Sequence, residues 1–127
     1  MKLKLNIFLL IASVLGLAFG APFVMAPELL LSFYGVTVEE GGIVVAQLFG
    51  ASLIEVGLIL ILARNVTAPD TQQAITLGGF VGTAIGFVVA LMGQLAGRAN
   101  ALGWSTVVIY LALAVGFGYF RFMKPAA

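Results

Sequence analysis

The sequence contains no cysteine and no histidine, and charged residues are scarce. Without thiols and imidazoles the chain cannot form a disulfide, a zinc site of the usual kind or a histidine-ligated haem. Six Lys and Arg residues against five Asp and Glu residues give a formal net charge of +1, and no basic run is longer than the Lys2 and Lys4 pair. Nucleic acid is therefore not expected among the partners.

Hydrophobic residues are what the sequence has in excess, at 62% of 127 residues against 9% charged. This composition indicates an integral membrane protein. Apolar runs occupy residues 5–21, 42–63, 74–95 and 102–120. As helices they would measure about 25 to 33 Å, enough for one crossing of a lipid bilayer each. We therefore predict one all-α domain over residues 1–127, an integral membrane four-helix bundle that runs up-down-up-down.

A short helix is predicted between the first two spans, over residues 27–34. Pro27 and Glu28 suit the start of a helix, and Gly35 suits its end. This segment is too short to cross a bilayer, so we expect it to lie at the membrane interface.

Three further signals predict where the spans begin and end. Thr37 with Glu40, and Asp70 with Gln73, have the spacing of capping boxes at the start of the second and third spans. Pro22 is expected to close the first helix, because proline lacks the N–H that a helix interior needs.

The basic residues predict the orientation in the membrane. Five of them fall on one side of the four-span topology and one on the other: Lys2, Lys4, Arg64, Arg121 and Lys124 against Arg98. Because basic residues are enriched on the cytoplasmic side, both termini should be cytoplasmic. The first run also fits a secretory signal peptide, an alternative that we rank below a retained span.

Small residues are spaced four apart on three of the predicted helices. They are Ala12, Gly16 and Gly20 in the first span, Gly78, Gly82, Gly86 and Ala90 in the third, and Ala112 and Gly116 in the fourth. Rows of this kind let two backbones approach closely, and such packing drives helix association in lipid. We expect them to pack helices within the bundle, with a contact between copies as the alternative.

Glu55 is the one ionisable residue deep inside a predicted span. With Gln47 and Ala51 it forms a polar stripe at the same spacing of four, and Ser52 lies beside it. Gly50 and Gly57 lie on a largely different face of this second span. The helix is therefore expected to have one side for close packing and another for polar partners.

The surroundings of Glu55 are expected to be hydroxyl groups rather than a cation. Ser13 and Thr83 fall at a similar depth in the first and third spans, whereas Arg64 is about 13 Å further along the helix axis. A buried carboxyl without a cation favours its protonated form, which donates a hydrogen bond. We expect Glu55 to join helices in this way. A proton-coupled or ligand-binding role and a contact with another subunit are alternatives.

No catalytic arrangement is evident, because the serines in the spans have no histidine to activate them. The chain is predicted not to be an enzyme, and no cofactor is predicted. A lipid, a quinone or a pigment could lie beneath the rings of the third and fourth spans, although such rings more often fill a core. These rings are Phe80, Phe87, Tyr110 and Phe117.

Three segments of the sequence resemble a known group. They are residues 45–53 (VAQLFGASL), the turn over residues 26–35, and Gly103-Trp104 at the start of the fourth span. Together they resemble small, uncharacterised four-helix bacterial membrane proteins akin to the DoxX-like group. The resemblance implies a helical bundle in a bacterial inner membrane, and it carries neither an activity nor catalytic residues.

Two functions are consistent with these observations. The first is a structural or accessory membrane protein that forms a homo-oligomer or joins other membrane subunits in the lipid bilayer. The alternative is a small transporter or carrier of a proton-coupled or lipophilic solute, centred on Glu55.

Overall fold

The protein is all-α. The structure is a computed structural model that describes residues 4–123. The helices are α1 (Leu5–Met25), α2 (Pro27–Phe33), α3 (Glu40–Ala63), α4 (Pro69–Leu95) and α5 (Gly103–Gly118), and a π-helical turn (Tyr119–Met123) continues α5. Four segments are long and apolar enough to cross a membrane: α1, α3, α4, and α5 with its π-helical turn. The predicted fold class is confirmed, and the chain is a multi-pass membrane protein.

The chain divides into two compact units, Met1–Asn65 and Val66–Ala127. The first contains α1, α2 and α3, and the second contains α4, α5 and the π-helical turn. Each unit is built on two long helices, which are connected through α2 in the first unit and by a turn in the second. Whether the whole chain is one domain stays a prediction.

In the first unit, α1 and α3 pack with their backbones in close contact. A Cβ atom built on Gly20 would lie 2.8 Å from the carbonyl oxygen of Gly50, and one built on Gly50 would lie 2.7 Å from the carbonyl oxygen of Gly20. About two turns away, Gly57 meets the backbone of Ser13 in the same manner. The pairing shows that the two helices are antiparallel. No side chain larger than hydrogen fits at this contact.

The prediction that Pro22 ends the first helix is wrong, because α1 continues to Met25. Proline here removes a hydrogen bond only near the end of the helix, and the N–H of Ala26 still donates to the carbonyl oxygen of Pro22 at 2.8 Å. The extra turn also carries Phe23, whose ring packs edge-on against Phe49 with 5.1 Å between centroids. Contact with α3 thus outweighs the helix-ending tendency of proline.

The short helix α2 is present, within one residue of its predicted end. Gly35 follows it with φ 71°, a backbone conformation that favours glycine. The predicted capping boxes are wrong, because the N-cap residues are Glu39 for α3 and Ala68 for α4 and neither side chain caps its helix. Pro69 begins α4 instead, since the missing N–H of proline costs nothing at a first position.

In the second unit, α4 and α5 pack through aromatic rings that lie over glycines. A Cβ atom on Gly79 would meet the ring of Phe117, and one on Gly86 would meet the ring of Tyr110. These pairs show that α4 and α5 are antiparallel. At the turn between the helices, Gln94 Nε2 donates to the carbonyl oxygen of Asn100 at 2.9 Å.

Candidate functional site

The two faces of α3 differ in what they contact. Gly50 and Gly57 face α1. At about 100° per residue, Glu55 is rotated about 140° from Gly50 and about 160° from Gly57. Glu55 is therefore on the side of α3 turned away from α1, and it is exposed. The candidate site is this outward face of α3.

Glu55 also lies well inside the span. It is eight residues before the last residue of α3, which puts it about 12 Å from that end of the helix. Exposed apolar side chains surround it on this face, including Leu48 at 63% and Ile59 at 52% exposure. The carboxyl group is thus the polar centre of a surface suited to hydrocarbon or to another helix.

The polar residues predicted to surround Glu55 form hydrogen bonds with backbone carbonyl groups instead. Ser13 Oγ donates to the carbonyl oxygen of Leu10 at 2.7 Å, and Ser52 Oγ donates to that of Leu48 at 3.0 Å. In the second unit, Thr83 Oγ1 donates to the carbonyl oxygen of Gly79, its neighbour on α4, at 2.6 Å. A hydroxyl that bonds to its own helix has its one proton already committed.

Ser13 is not placed as the sequence suggested. It is fully buried on the side of α1 that faces Gly57, whereas Glu55 lies on the opposite side of α3. Ser13 and Glu55 are at similar depth in the membrane, but the body of α3 lies between their side chains. The expected hydroxyl layer therefore does not form within residues 4–65, and Glu55 has no hydrogen-bond or ion-pair partner in that stretch.

Gln47 lies at the edge of the outward face rather than at its centre. It precedes Gly50 by three residues, so it is rotated about 60° from that glycine. Its Nε2 donates to the carbonyl oxygen of Val24 at 3.1 Å and so connects α3 with the last turn of α1. This amide stabilises the first unit, and its remaining polar atoms border the face that carries Glu55.

The glycine row of α4 divides between two environments. Gly86 contacts Tyr110 of α5, but Cβ atoms built on Gly78 and Gly82 would meet no atom within 4 Å. Within the second unit, Gly79 rather than these two provides the close contact with α5. Whether Gly78, Gly82 and Ala90 pack against another helix stays a prediction.

Three of the four aromatic residues considered as a cofactor site, Phe80, Tyr110 and Phe117, serve helix packing. Phe117 and Tyr110 lie over glycines of α4, and Phe80 contacts the position of Gly118 in α5. Among residues 4–123, no group of three or more His, Cys, Asp and Glu residues is placed to bind a metal ion.

One residue that the sequence analysis used only for orientation has an unusual environment. Arg121 lies in the π-helical turn, and its Nε is buried without a hydrogen-bond partner. The signal available in the sequence was a single arginine between aromatic residues, in the stretch Tyr-Phe-Arg-Phe over residues 119–122.

Comparisons of the chain with protein families, with curated proteins and with solved structures find no match. The resemblance to DoxX-like proteins therefore stays a prediction.

Proposed function

We propose that this chain is a non-enzymatic protein of the bacterial inner membrane that acts by associating with other transmembrane helices. It does so as a homo-oligomer or as an accessory subunit of a larger membrane complex. The observation that carries the proposal is the exposed carboxyl of Glu55 on the outward face of α3.

The energetic argument rests on what Glu55 would otherwise contact. A carboxyl group in hydrocarbon is costly even when it is protonated, because its polar atoms lack hydrogen-bond partners. A partner helix that supplies a donor or an acceptor removes that cost. The surrounding apolar side chains would then pack against the same partner, as the interfaces of membrane helices do.

The hydrogen bonds of the serine hydroxyl groups support the proposal that the protein is not an enzyme. Ser13, Ser52 and Ser105 donate to backbone carbonyl groups three or four residues earlier in the chain. None of them has a histidine to activate it, because the sequence contains none.

A cytoplasmic location for both termini is supported by where the cations lie in each unit. Lys4 precedes α1 and Arg64 follows α3, so these two residues lie at the same end of the antiparallel pair. In the second unit, Arg98 lies in the turn between the helices, whereas Arg121 lies near the opposite end. The other two basic residues expected on the cytoplasmic side, Lys2 and Lys124, lie outside residues 4–123.

The proposal is tested by replacing Glu55 and measuring self-association in lipid nanodiscs or mild detergent by sedimentation. Glu55→Leu should weaken association about three- to twenty-fold, the effect of losing one interhelical hydrogen bond. Glu55→Gln keeps a donor and an acceptor and should associate nearly as wild type does. Ser52→Ala is the matched control, because that hydroxyl already bonds within its own helix.

Native mass spectrometry of complexes from the source membrane identifies the partner. Copies of the chain alone would indicate a homo-oligomer, and other proteins would indicate an accessory subunit. A wild-type chain that is monomeric in both preparations and unchanged by Glu55→Leu would contradict the proposal.

The second candidate function is a small transporter or carrier of a proton-coupled or lipophilic solute. It is favoured by the carboxyl of Glu55, which lies well inside a span and forms no hydrogen bond within residues 4–65. Proton uptake into proteoliposomes, followed with a trapped pH-sensitive dye, tests this function. Glu55→Gln should abolish uptake without changing assembly, because an amide does not titrate.

A further inference from the structure

The end of the last span departs from α-helical geometry. The α-helix α5 gives way to the π-helical turn Tyr119–Met123, which carries one cation, Arg121. π-Helical turns are rare, and they occur frequently at functional sites. The change in winding also alters the direction in which Arg121 projects, relative to a continuous α-helix.

Aromatic packing fixes the position of this turn. Phe122 packs edge-on against Phe80 of α4, with 5.2 Å between ring centroids. Phe120 is buried at 6% exposure, and the ring of Tyr119 packs against it. The π-helical turn is therefore held against α4, and the backbone that carries Arg121 is held with it.

The guanidinium group of Arg121 is held in place by the protein but has no anion there. Its Cζ lies 5.3 Å from the centroid of the Phe122 ring, a cation–π arrangement, and its Nε is buried without an acceptor. Among residues 4–123, Arg121 forms no ion pair. Asp70, the only acidic residue of the second unit, is ten residues before Phe80, about 15 Å along α4.

Arg121 lies near the end of the last candidate membrane span, Gly103–Met123. It directly follows the buried Phe120. An arginine at this depth extends its charged end toward the lipid headgroups, where phosphate oxygens are the most abundant anions. Guanidinium matches a phosphate geometrically, because two parallel N–H groups can donate to two oxygens.

We propose that Arg121 binds the phosphate group of an anionic membrane lipid through its two terminal amino groups, Nη1 and Nη2. The ring of Phe122 orients the guanidinium, and the lipid supplies the missing anion. The chemistry recognised is a phosphate group, and its source is a lipid headgroup in the leaflet next to this end of α5.

The test uses the full chain in detergent micelles supplied with phosphatidylglycerol, with retained lipid counted by native mass spectrometry. The wild-type chain should retain phosphatidylglycerol. Arg121→Gln should reduce retention about tenfold, the effect of losing a charge-assisted hydrogen bond. Arg98→Gln is the matched control, because it removes a cation from the turn at the opposite end of the same two helices and should leave retention unchanged.

Three results would overturn the proposal. Equal retention by the wild type and by Arg121→Gln would show that Arg121 is not the ligand. An equal loss in Arg98→Gln would show that net charge alone attracts the lipid. Displacement of phosphatidylglycerol by millimolar inorganic phosphate would show that the site prefers the free ion.

A further variant covers the possibility that Arg121→Gln does not fold. Arg121→Lys keeps the charge but loses the two parallel N–H groups. Phosphatidylglycerol should then raise the Tm of the wild type more than that of Arg121→Lys, and diacylglycerol, which has no phosphate, should raise neither. Equal shifts in the two proteins would contradict bidentate recognition.

Discussion

Gly50 illustrates how one missing side chain permits a helix contact. A Cβ atom there would lie 2.6 Å from Phe23 Cβ and 2.7 Å from the carbonyl oxygen of Gly20. Both are atoms of the neighbouring helix close to its axis, so rotation of a side chain cannot relieve the overlap. The two helices would have to move apart along their length.

We therefore expect Gly50→Ala to destabilise the protein by about 1 to 3 kcal/mol, the usual cost of forcing extra volume into packed structure. Gly41→Ala in the same helix is the control, since nothing lies within 4 Å of that position, and its effect should stay within about 0.5 kcal/mol. Reversible unfolding in mixed micelles measures both. Similar free energies of unfolding for the two variants would mean that the α1–α3 contact is not closely packed.

For Glu55, the sequence predicts the residue and its helix face but not its neighbours. Its uniqueness among the spans is visible in the sequence, and the opposite faces for the glycines and the carboxyl follow from 100° per residue. The sequence does not show on which side of α3 the neighbouring helix packs. Ser13 and Glu55 have matching depths, yet α1 packs on the glycine side of α3, and this separates them.

At the scale of the helix, the spans themselves are predictable and their ends are not. Length and hydropathy determine a span, because every backbone group in hydrocarbon must be bonded within a helix. The ends depend on contacts with other segments. Pro22 is inside α1 because Phe23 packs on Phe49, and no local pattern in the sequence reports that contact.

The sequence also does not show which side of α4 contacts α5. Glycines at 78, 79, 82 and 86 cover more than one side of this helix, and each side permits close approach. The side that faces α5 is set by where the rings of Phe117 and Tyr110 project. A row of small residues thus predicts that a helix can pack closely, without identifying its partner.

The short helix α2 gives a prediction about the membrane surface. Leu29 and Phe33 are 59% and 60% exposed on this seven-residue helix. If α2 lies at the interface, Phe33→Trp in a Trp104→Phe background should show blue-shifted fluorescence that brominated lipids quench, because the indole would enter the headgroup region. The background variant removes the only native tryptophan. Emission typical of an indole in water, without quenching, would exclude this position for α2.

At the scale of the whole molecule, the lack of cysteine makes the topology directly measurable. Ala99→Cys places a thiol in the turn between α4 and α5, and Ala68→Cys places one just before α4. With both termini cytoplasmic, a membrane-impermeant maleimide added to intact cells should label Ala99→Cys and should label Ala68→Cys only after permeabilisation. The reverse pattern would show that the chain is inserted the other way round.

At the glycine contact between α1 and α3, two membrane helices recognise each other through backbone atoms. In glycine an α-hydrogen takes the place of Cβ, and at Gly20 and Gly50 a Cβ atom would lie 2.8 and 2.7 Å from the other residue's carbonyl oxygen. Contacts between an α-hydrogen and a carbonyl oxygen are weak hydrogen bonds, worth about 0.5 to 1 kcal/mol each. Because the two are reciprocal, they are lost together when either helix slides or rotates, so the glycine pair fixes the register of the hairpin.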